Sequence, residues 1–305
     1  MKILLLGKNG QVGWELQRSL SHLCDIRAVS REEVDLEDTG KVSNLISGEK
    51  PSIVVNAAAY TAVDKAESQS NSAYSVNADA VEVMAQETNK LNAWLVHYST
   101  DYIFDGKKES PYKENDVAFP LSIYGKSKLK GENLIREINP KHLIIRTSWV
   151  YSTRGNNFAK TILNLAKEKN ELNIIDDQHG APTSAELIAD VTALAIYRIK
   201  QNINNSDLSG TYHLTASGRT SWYGFAKTLI ELAQSLGVEF NTKLEDINAI
   251  GTESYPLPAT RPMNSELNTA KLRSSFNITL PNWRYHAHRF INHQVEKEAH
   301  CLVKE

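Results

Sequence analysis

Residues 2–13 read Lys2-Ile3-Leu4-Leu5-Leu6-Gly7-Lys8-Asn9-Gly10-Gln11-Val12-Gly13. An apolar run of strand length enters a glycine turn, and an amphipathic pattern, Gln11–Leu23, starts directly behind it. The glycines fall as GxxGxxG, a spacing related to the GxGxxG dinucleotide fingerprint but not identical to it. The physical use is the same. Glycines permit the tight turn, let the backbone approach a pyrophosphate, and let the helix pack on the strand. The helix N-terminus then offers free N–H groups and a positive dipole end to phosphate oxygens. Gly7, Gly10, Gln11, Val12 and Gly13 are the expected cofactor cradle.

Beyond this stretch, apolar runs of strand length recur at Ile26–Val29, Ile53–Val55, Trp94–His97 and Leu143–Ile145. Helical patterns lie between them at Thr39–Gly48, Asn71–Leu91 and Ser122–Ile138. Near-continuous apolar strands alternating with helices predict an α/β fold of Rossmann type, a doubly wound parallel sheet buried on both faces. Further helices are expected at Asn157–Lys169, Ala185–Lys200, Ser221–Leu236 and Trp283–Glu298, with turns at Gly180-Ala181-Pro182, Ser209-Gly210 and Tyr255–Pro258. The alternation loosens near residue 150. Residues 1–150 are therefore expected to form the dinucleotide-binding domain, and residues 151–305 mainly a smaller, mixed α/β substrate domain with some segments returning to the sheet.

The end of the second strand discriminates between cofactors, because an acid there binds the ribose 2′-hydroxyl and repels a 2′-phosphate. Ser30 and Arg31 follow Val29, and both suit phosphate, so NADPH is favoured. Glu32 and Glu33 lie next to them and leave NADH open. Asp35 and Leu36 are placed toward the adenine side.

Tyr124-Gly125-Lys126-Ser127-Lys128 sets a tyrosine and a lysine at i and i+4, on one face of the predicted helix. A nearby ammonium stabilises the phenolate and brings a tyrosine toward useful acid–base range. Ser99 and Thr100 stand at the C-terminal end of the fourth strand, where open α/β sheets bind ligands. A hydroxyl there can hold a carbonyl oxygen beside the tyrosine proton.

Longer strings carry more information than these short motifs. They are Gly7–Gly13, Asn56–Glu67, Tyr98–Gly106 (YSTDYIFDG), Tyr124–Glu132 (YGKSKLKGE), Arg146–Tyr151 (RTSWVY), Asn156–Lys160, Asp177–Thr183 and Arg261–Leu267 (RPMNSEL). On these, the chain resembles the extended short-chain dehydrogenase/reductase superfamily over residues 1–295, nearest to its members that reduce dTDP-linked keto sugars. The resemblance implies NADPH-dependent reduction of the C4 keto group of dTDP-4-dehydro-L-rhamnose, with a nucleotide sugar bound by the second domain. It implies Tyr124 as proton donor, Lys128 as its pKa tuner and ribose anchor, and Thr100 as the polarising hydroxyl. Asp101 and Trp149 match substrate contacts. Ala59, Tyr60, Thr61 and Tyr98 match cofactor contacts, and Asn77 matches an asparagine that organises water near the site. Some members hold magnesium at a dimer interface through acids. Glu15 and Glu186 match two of those positions, but His293 stands at the third and departs from the oxygen set magnesium prefers. No metal ligand is assigned, and a homodimer is left as an option.

Composition sets outer limits. The chain has 305 residues, 41% hydrophobic and 23% charged, with net charge −2. It has globular proportions and no basic block to hold nucleic acid or a membrane surface. The N-terminal apolar run is too short for a signal peptide, and no membrane span is expected. Cys24 and Cys301 form no framework or metal motif, which points to a cytoplasmic enzyme. His286, His288, His293 and His300 are expected to form a solvated face of the last helix. Two rival readings are a nucleotide-sugar dehydratase or epimerase and a non-catalytic cofactor-binding regulatory subunit. A dehydratase of this family carries Thr-Asp-Glu at the strand end, whereas Tyr102 follows Thr100-Asp101 here.

Overall fold

The computed structural model describes residues 1–302, with side chains through residue 297. The side chains of His300 and Cys301 lie outside the described residues.

The apolar runs become parallel strands. These are β1 (Lys2–Leu6), β2 (Asp25–Val29), β3 (Ile53–Asn56), β4 (Trp94–Thr100) and β5 (His142–Thr147). Between them run α1 (Gln11–Leu20), α2 (Thr39–Glu49), α3 (Ala80–Lys90) and α4 (Ile123–Ile138). The helix Ser70–Tyr74 and a π-helical turn, Ser75–Asp79, lead into α3 without a break. The second half supplies α5 (Phe158–Glu168), β6 (Leu172–Ile175), α6 (Ala185–Gln201), β7 (Gly210–His213), α7 (Trp222–Ser235), β8 (Ile247–Ile250), α8 (Ala270–Phe276) and α9 (Trp283–Leu302).

The main sheet has the order β7-β5-β4-β3-β1-β2 and is parallel throughout. Every residue of β3 and β5 is buried, as the continuous apolar runs require. One face packs Ile3, Leu5, Val55 and Val96 against α1, α6 and α9. The other packs Leu4, Leu6, Val54 and Leu95 against α2 and α3. Strand order reverses between β1 and β3, so a crevice opens there at the strands' C-terminal ends. A smaller core, with Ile162, Leu172, Ile174, Ile230 and Ile247, joins α5 and α7 to the parallel pair β6–β8.

Two elements differ from the sequence expectation. Ser209-Gly210 reads as a turn with no strand expected after it, yet Gly210–His213 pairs with β5 at the sheet edge. The strand is short and polar, and its pairing comes from tertiary contact rather than an apolar run. The last helix is not a uniformly solvated histidine face either. His286 is 7% exposed and shares its side of α9 with buried Ala287, Phe290 and Ile291, while His288 and His293 face solvent. No helix among the described residues is long and apolar enough to cross a membrane.

Helix α4 lies unusually close to its neighbours. A Cβ on Gly131 would sit 2.2 Å from the Asn77 carbonyl oxygen. Gly131→Ala is expected to lose about 1–3 kcal/mol through overpacking. Gly48→Ala, where a Cβ meets nothing within 4 Å, should gain roughly 0.5–1 kcal/mol from helix propensity. Urea denaturation of the two variants against the parent checks both signs.

Candidate active site

A cleft of about 820 Å³ opens over the switch point. At one end is the glycine turn. Gly7 adopts φ +86°, and a Cβ there would meet the Ala57 and Ala58 backbone at 2.8–3.0 Å. On Gly13, a Cβ would lie 2.0 Å from the Gly7 carbonyl oxygen. Only glycine fits either place, so the α1 N-terminus is drawn against the turn with its backbone open to the cleft. Gly10 caps α1 without a side-chain hydrogen bond. A pyrophosphate on these N–H groups fits what the residues leave available. The Gln11 side-chain oxygen accepts from Asn157 Nδ2 at 2.9 Å and Ser152 Oγ at 3.2 Å. The second half of the chain thus braces the cradle, through two residues that carried no assigned role.

Past β2, Ser30, Arg31, Asp35 and Leu36 line the cleft. Arg31 is largely exposed and pairs with Asp35 at 3.1 Å. Glu33 turns away, accepting from the Ser30 backbone N–H at 2.9 Å and pairing with Lys8 and Arg27. Those partners hold its carboxyl down at about 2. After β3, Ala59, Tyr60 and Thr61 form the facing wall. Asn77 clamps that wall to α4: its amide binds the Tyr60 N–H at 2.9 Å, the Tyr60 carbonyl at 3.1 Å and Ser127 Oγ at 3.0 Å.

Thr100, Asp101, Tyr124, Lys128 and Trp149 meet in the same cleft. Thr100 Oγ1 accepts from the Tyr102 N–H at 3.2 Å and donates to Asp101 Oδ1 at 3.1 Å. Tyr102 stands edge-on to Tyr124, ring centroids 5.6 Å apart. Lys128 is 2% exposed and donates to the Tyr98 carbonyl at 2.6 Å. The Tyr98 hydroxyl is held by Thr192 at 2.8 Å. Trp149 takes φ +50° and stacks on Trp222 at 3.6 Å, over Gly180. Trp222 is a neighbour that no local motif announces.

Burial governs the chemistry of these groups. It pulls the Lys128 ammonium down to about 8, opposed by the charge of Glu132. It pushes the Tyr124 phenol up to about 12, opposed by the Thr100 hydroxyl. The i, i+4 spacing predicts that Lys128 draws this phenol downward. In the structure desolvation of the phenolate is larger, and Tyr124 rests fully protonated.

Away from the cleft, Glu186 is gripped by Arg289 at 2.6 and 3.1 Å, and Glu15 by Arg18 at 3.1 Å. His286 and His293 share that pocket.

A protonated phenol, a strand-end hydroxyl and a dinucleotide cradle in one crevice place the protein among oxidoreductases of the extended short-chain dehydrogenase/reductase type. The family model described as RmlD substrate binding domain matches residues 1–296. The dTDP-4-dehydrorhamnose reductase of Escherichia coli K12 is 48% identical over 296 residues, covering 96% of this chain and 97% of the relative. That of Burkholderia thailandensis is 46% identical over 286 residues, covering 93% and 96%. The crystal structure of the Bacillus anthracis dTDP-4-dehydrorhamnose reductase in complex with NADP superposes with TM-score 0.85 at 33% identity, covering 96% of this chain and 99% of that one. This chain belongs to the dTDP-4-dehydrorhamnose reductase family.

Burial also pushes the Asp101 carboxyl up to about 6, against hydrogen bonds from Ser265 and Thr100. A folded-state pKa above the unfolded value of about 3.9 means the native state binds this proton more tightly. Its contribution is full below the unfolded pKa and is lost as pH rises through about 6. Asp101→Asn should therefore be more stable than the parent at neutral pH by about 1–3 kcal/mol. That gap should close below about pH 4, as chemical denaturation at the two pH values would show.

Proposed function

We propose that this protein reduces the C4 keto group of dTDP-4-dehydro-L-rhamnose to give dTDP-L-rhamnose. The observation that carries the reading is Tyr124 beside Thr100 and Asp101, in the same cleft as the glycine cradle. The family membership supports the substrate. The residues of the glycine cradle would hold NADPH, which when bound would supply a hydride to C4. The chain's part is to bind, orient and donate the proton. Tyr124 gives its phenolic proton to the oxygen that becomes the 4-hydroxyl. Thr100 exchanges its Asp101 contact for the carbonyl oxygen and steadies the developing negative charge. Asp101 and Trp149 seat the sugar, and Lys128 anchors the ribose beside it. Asn77, engaged on three protein groups, acts as a clamp for the post-β3 loop.

NADPH is the preferred partner in this reading. Glu33, the acid just past β2, is held by Lys8 and Arg27 instead of facing the cleft. Arg31 would turn from Asp35 to the phosphate. Magnesium at the Glu15–Glu186 pocket fits poorly: Glu15 is paired with Arg18 and Glu186 with Arg289, and the imidazoles of His286 and His293 stand beside them where the ion prefers oxygen.

Tyr124→Phe should lower kcat by roughly 10²–10⁴-fold while NADPH binding is retained. NADPH oxidation with the keto sugar and a fluorescence titration of cofactor check the two halves, and near-normal turnover would remove Tyr124 as donor. Arg31→Ala should raise KM for NADPH by roughly tenfold relative to NADH, the worth of one charge-assisted hydrogen bond. Equal effects on both cofactors would remove Arg31 from 2′-phosphate recognition.

A further inference from the structure

Trp149 stands in the wall of the cleft in a backbone conformation that a bulky side chain rarely adopts. Its φ is +50°, in the left-handed region. Such a residue persists only where its surroundings hold it. Its carbonyl accepts from the Thr183 N–H at 3.2 Å, and the next residue, Val150, pairs with Thr183. These contacts fix the main chain. The indole is held separately. It lies flat on Trp222, with ring centroids 3.6 Å apart and planes 10° from parallel. Gly180 closes in as well: a Cβ there would sit 2.8 Å from Trp149 Cε2.

Trp222 is itself fixed. It opens α7 directly after Ser221, whose hydroxyl accepts from the Gly224 N–H at 3.0 Å and donates to Asp176. Trp222 Nε1 donates to Gln178 Oε1 at 3.3 Å, and Gln178 Nε2 donates to Thr252 Oγ1 at 3.0 Å. Thr252 Oγ1 donates in turn to Asp177 Oδ1 at 2.6 Å. The ring of Phe158, the first residue of α5, packs on Trp222 at 4.5 Å. Trp222 also packs against both the main core and the smaller one. An indole tied at its nitrogen and wedged between two cores has little freedom to turn. Trp149 lines the cleft, and Trp222 stands behind it.

We infer that Trp222 is a positioning residue for the sugar, acting through Trp149 as the fixed plane that keeps its indole in the cleft wall. Core packing alone accounts for the contacts of Trp222 with Phe158 and Gln178. It does not account for a second indole, on a left-handed backbone, stacked over it with little offset. Aromatic pairs free to choose favour offset or edge-on contacts. A stack with centroids 3.6 Å apart is set by what holds each ring from outside. Without Trp222 the Trp149 main chain stays on Thr183, while its ring is free to leave the wall. The seat that Trp149 gives the sugar belongs to the reductase reading, and the inference rests on it there. The stacking geometry does not.

Fluorine spectra and a double-mutant cycle separate positioning from core packing. In protein labelled with fluorotryptophan, ¹⁹F spectra report on all five tryptophans, with Trp149 assigned by its loss in Trp149→Phe. Trp222→Leu should shift and broaden the Trp149 signal and leave those of Trp14 and Trp94 in place. Calorimetric titration with dTDP-L-rhamnose should show affinity falling roughly 3–10-fold in Trp222→Leu, the range of one aromatic pair, with NADPH affinity unchanged. Trp222→Phe, which keeps an aromatic plane, should recover most of the loss. In a Trp149→Leu background, Trp222→Leu should cost the sugar nothing further, because the effect passes through Trp149. An unmoved Trp149 signal overturns the inference, as does an equal loss of NADPH affinity or a loss that adds in full to that of Trp149→Leu. If Trp222→Leu does not fold, Trp222→Met, which fills the site with a flexible chain and no plane, replaces it in every arm. If the parent neither binds dTDP-L-rhamnose nor turns over the keto sugar, the reductase reading fails, and the fluorine spectra still decide whether Trp222 holds Trp149.

Discussion

Everything in the cleft depends on how closely α4 is allowed to approach its neighbours. Gly125 packs under the Tyr102 carbonyl, where a Cβ would be 2.2 Å from the oxygen, and Gly131 packs against Asn77 in the π-helical turn. Glu132, fully buried, is locked to Arg146 of β5 at 2.7 Å. A buried pair of this kind contributes little net stability against apolar replacements, but breaking it would leave an uncompensated charge. It therefore fixes register more than it adds free energy. Tyr124 and Lys128 lie one turn apart on the helix so pinned, and their positions inherit its rigidity.

The second theme is desolvation. In one crevice burial raises the Asp101 carboxyl and the Tyr124 phenol and lowers the Lys128 ammonium. Each group is driven toward its uncharged form. A site biased this way holds its acid protonated and keeps few fixed charges beside a reacting carbonyl. The developing alkoxide is then the main new charge in a low-dielectric space, where each donor counts for more than it would in water.

Much of this was legible in the sequence for a physical reason. Strands buried on both faces are continuous apolar runs, and the glycine spacing reports contacts that no side chain tolerates. That is why Gly7–Gly13, the five leading strands and the Tyr124–Lys128 pair could be placed. What stayed hidden depends on contacts across the chain. β7 is a short edge strand with polar residues, defined by its pairing with β5. Asn157 reaches Gln11 across 146 positions. His97 stands out as a polar residue inside a buried strand, yet its partners lie 41 and 31 positions away. The state of Tyr124 turned on depth of burial, which spacing along a helix does not report.

The pairing of α1 with α6 has a consequence for how the chain is made. Ser19 bonds the Ala189 carbonyl and Arg18 pairs with Asp190, contacts that span 170 and 172 positions. At roughly 5–20 residues per second, a ribosome leaves the apolar face of α1 uncovered for on the order of ten to thirty seconds. β5 likewise waits for β7 to cover its outer edge. The glycine cradle leaves the exit tunnel well before α6, and its helix gains its cover only once Ala189 and Asp190 are made. Vectorial synthesis therefore delays completion of the cradle until that cover is made.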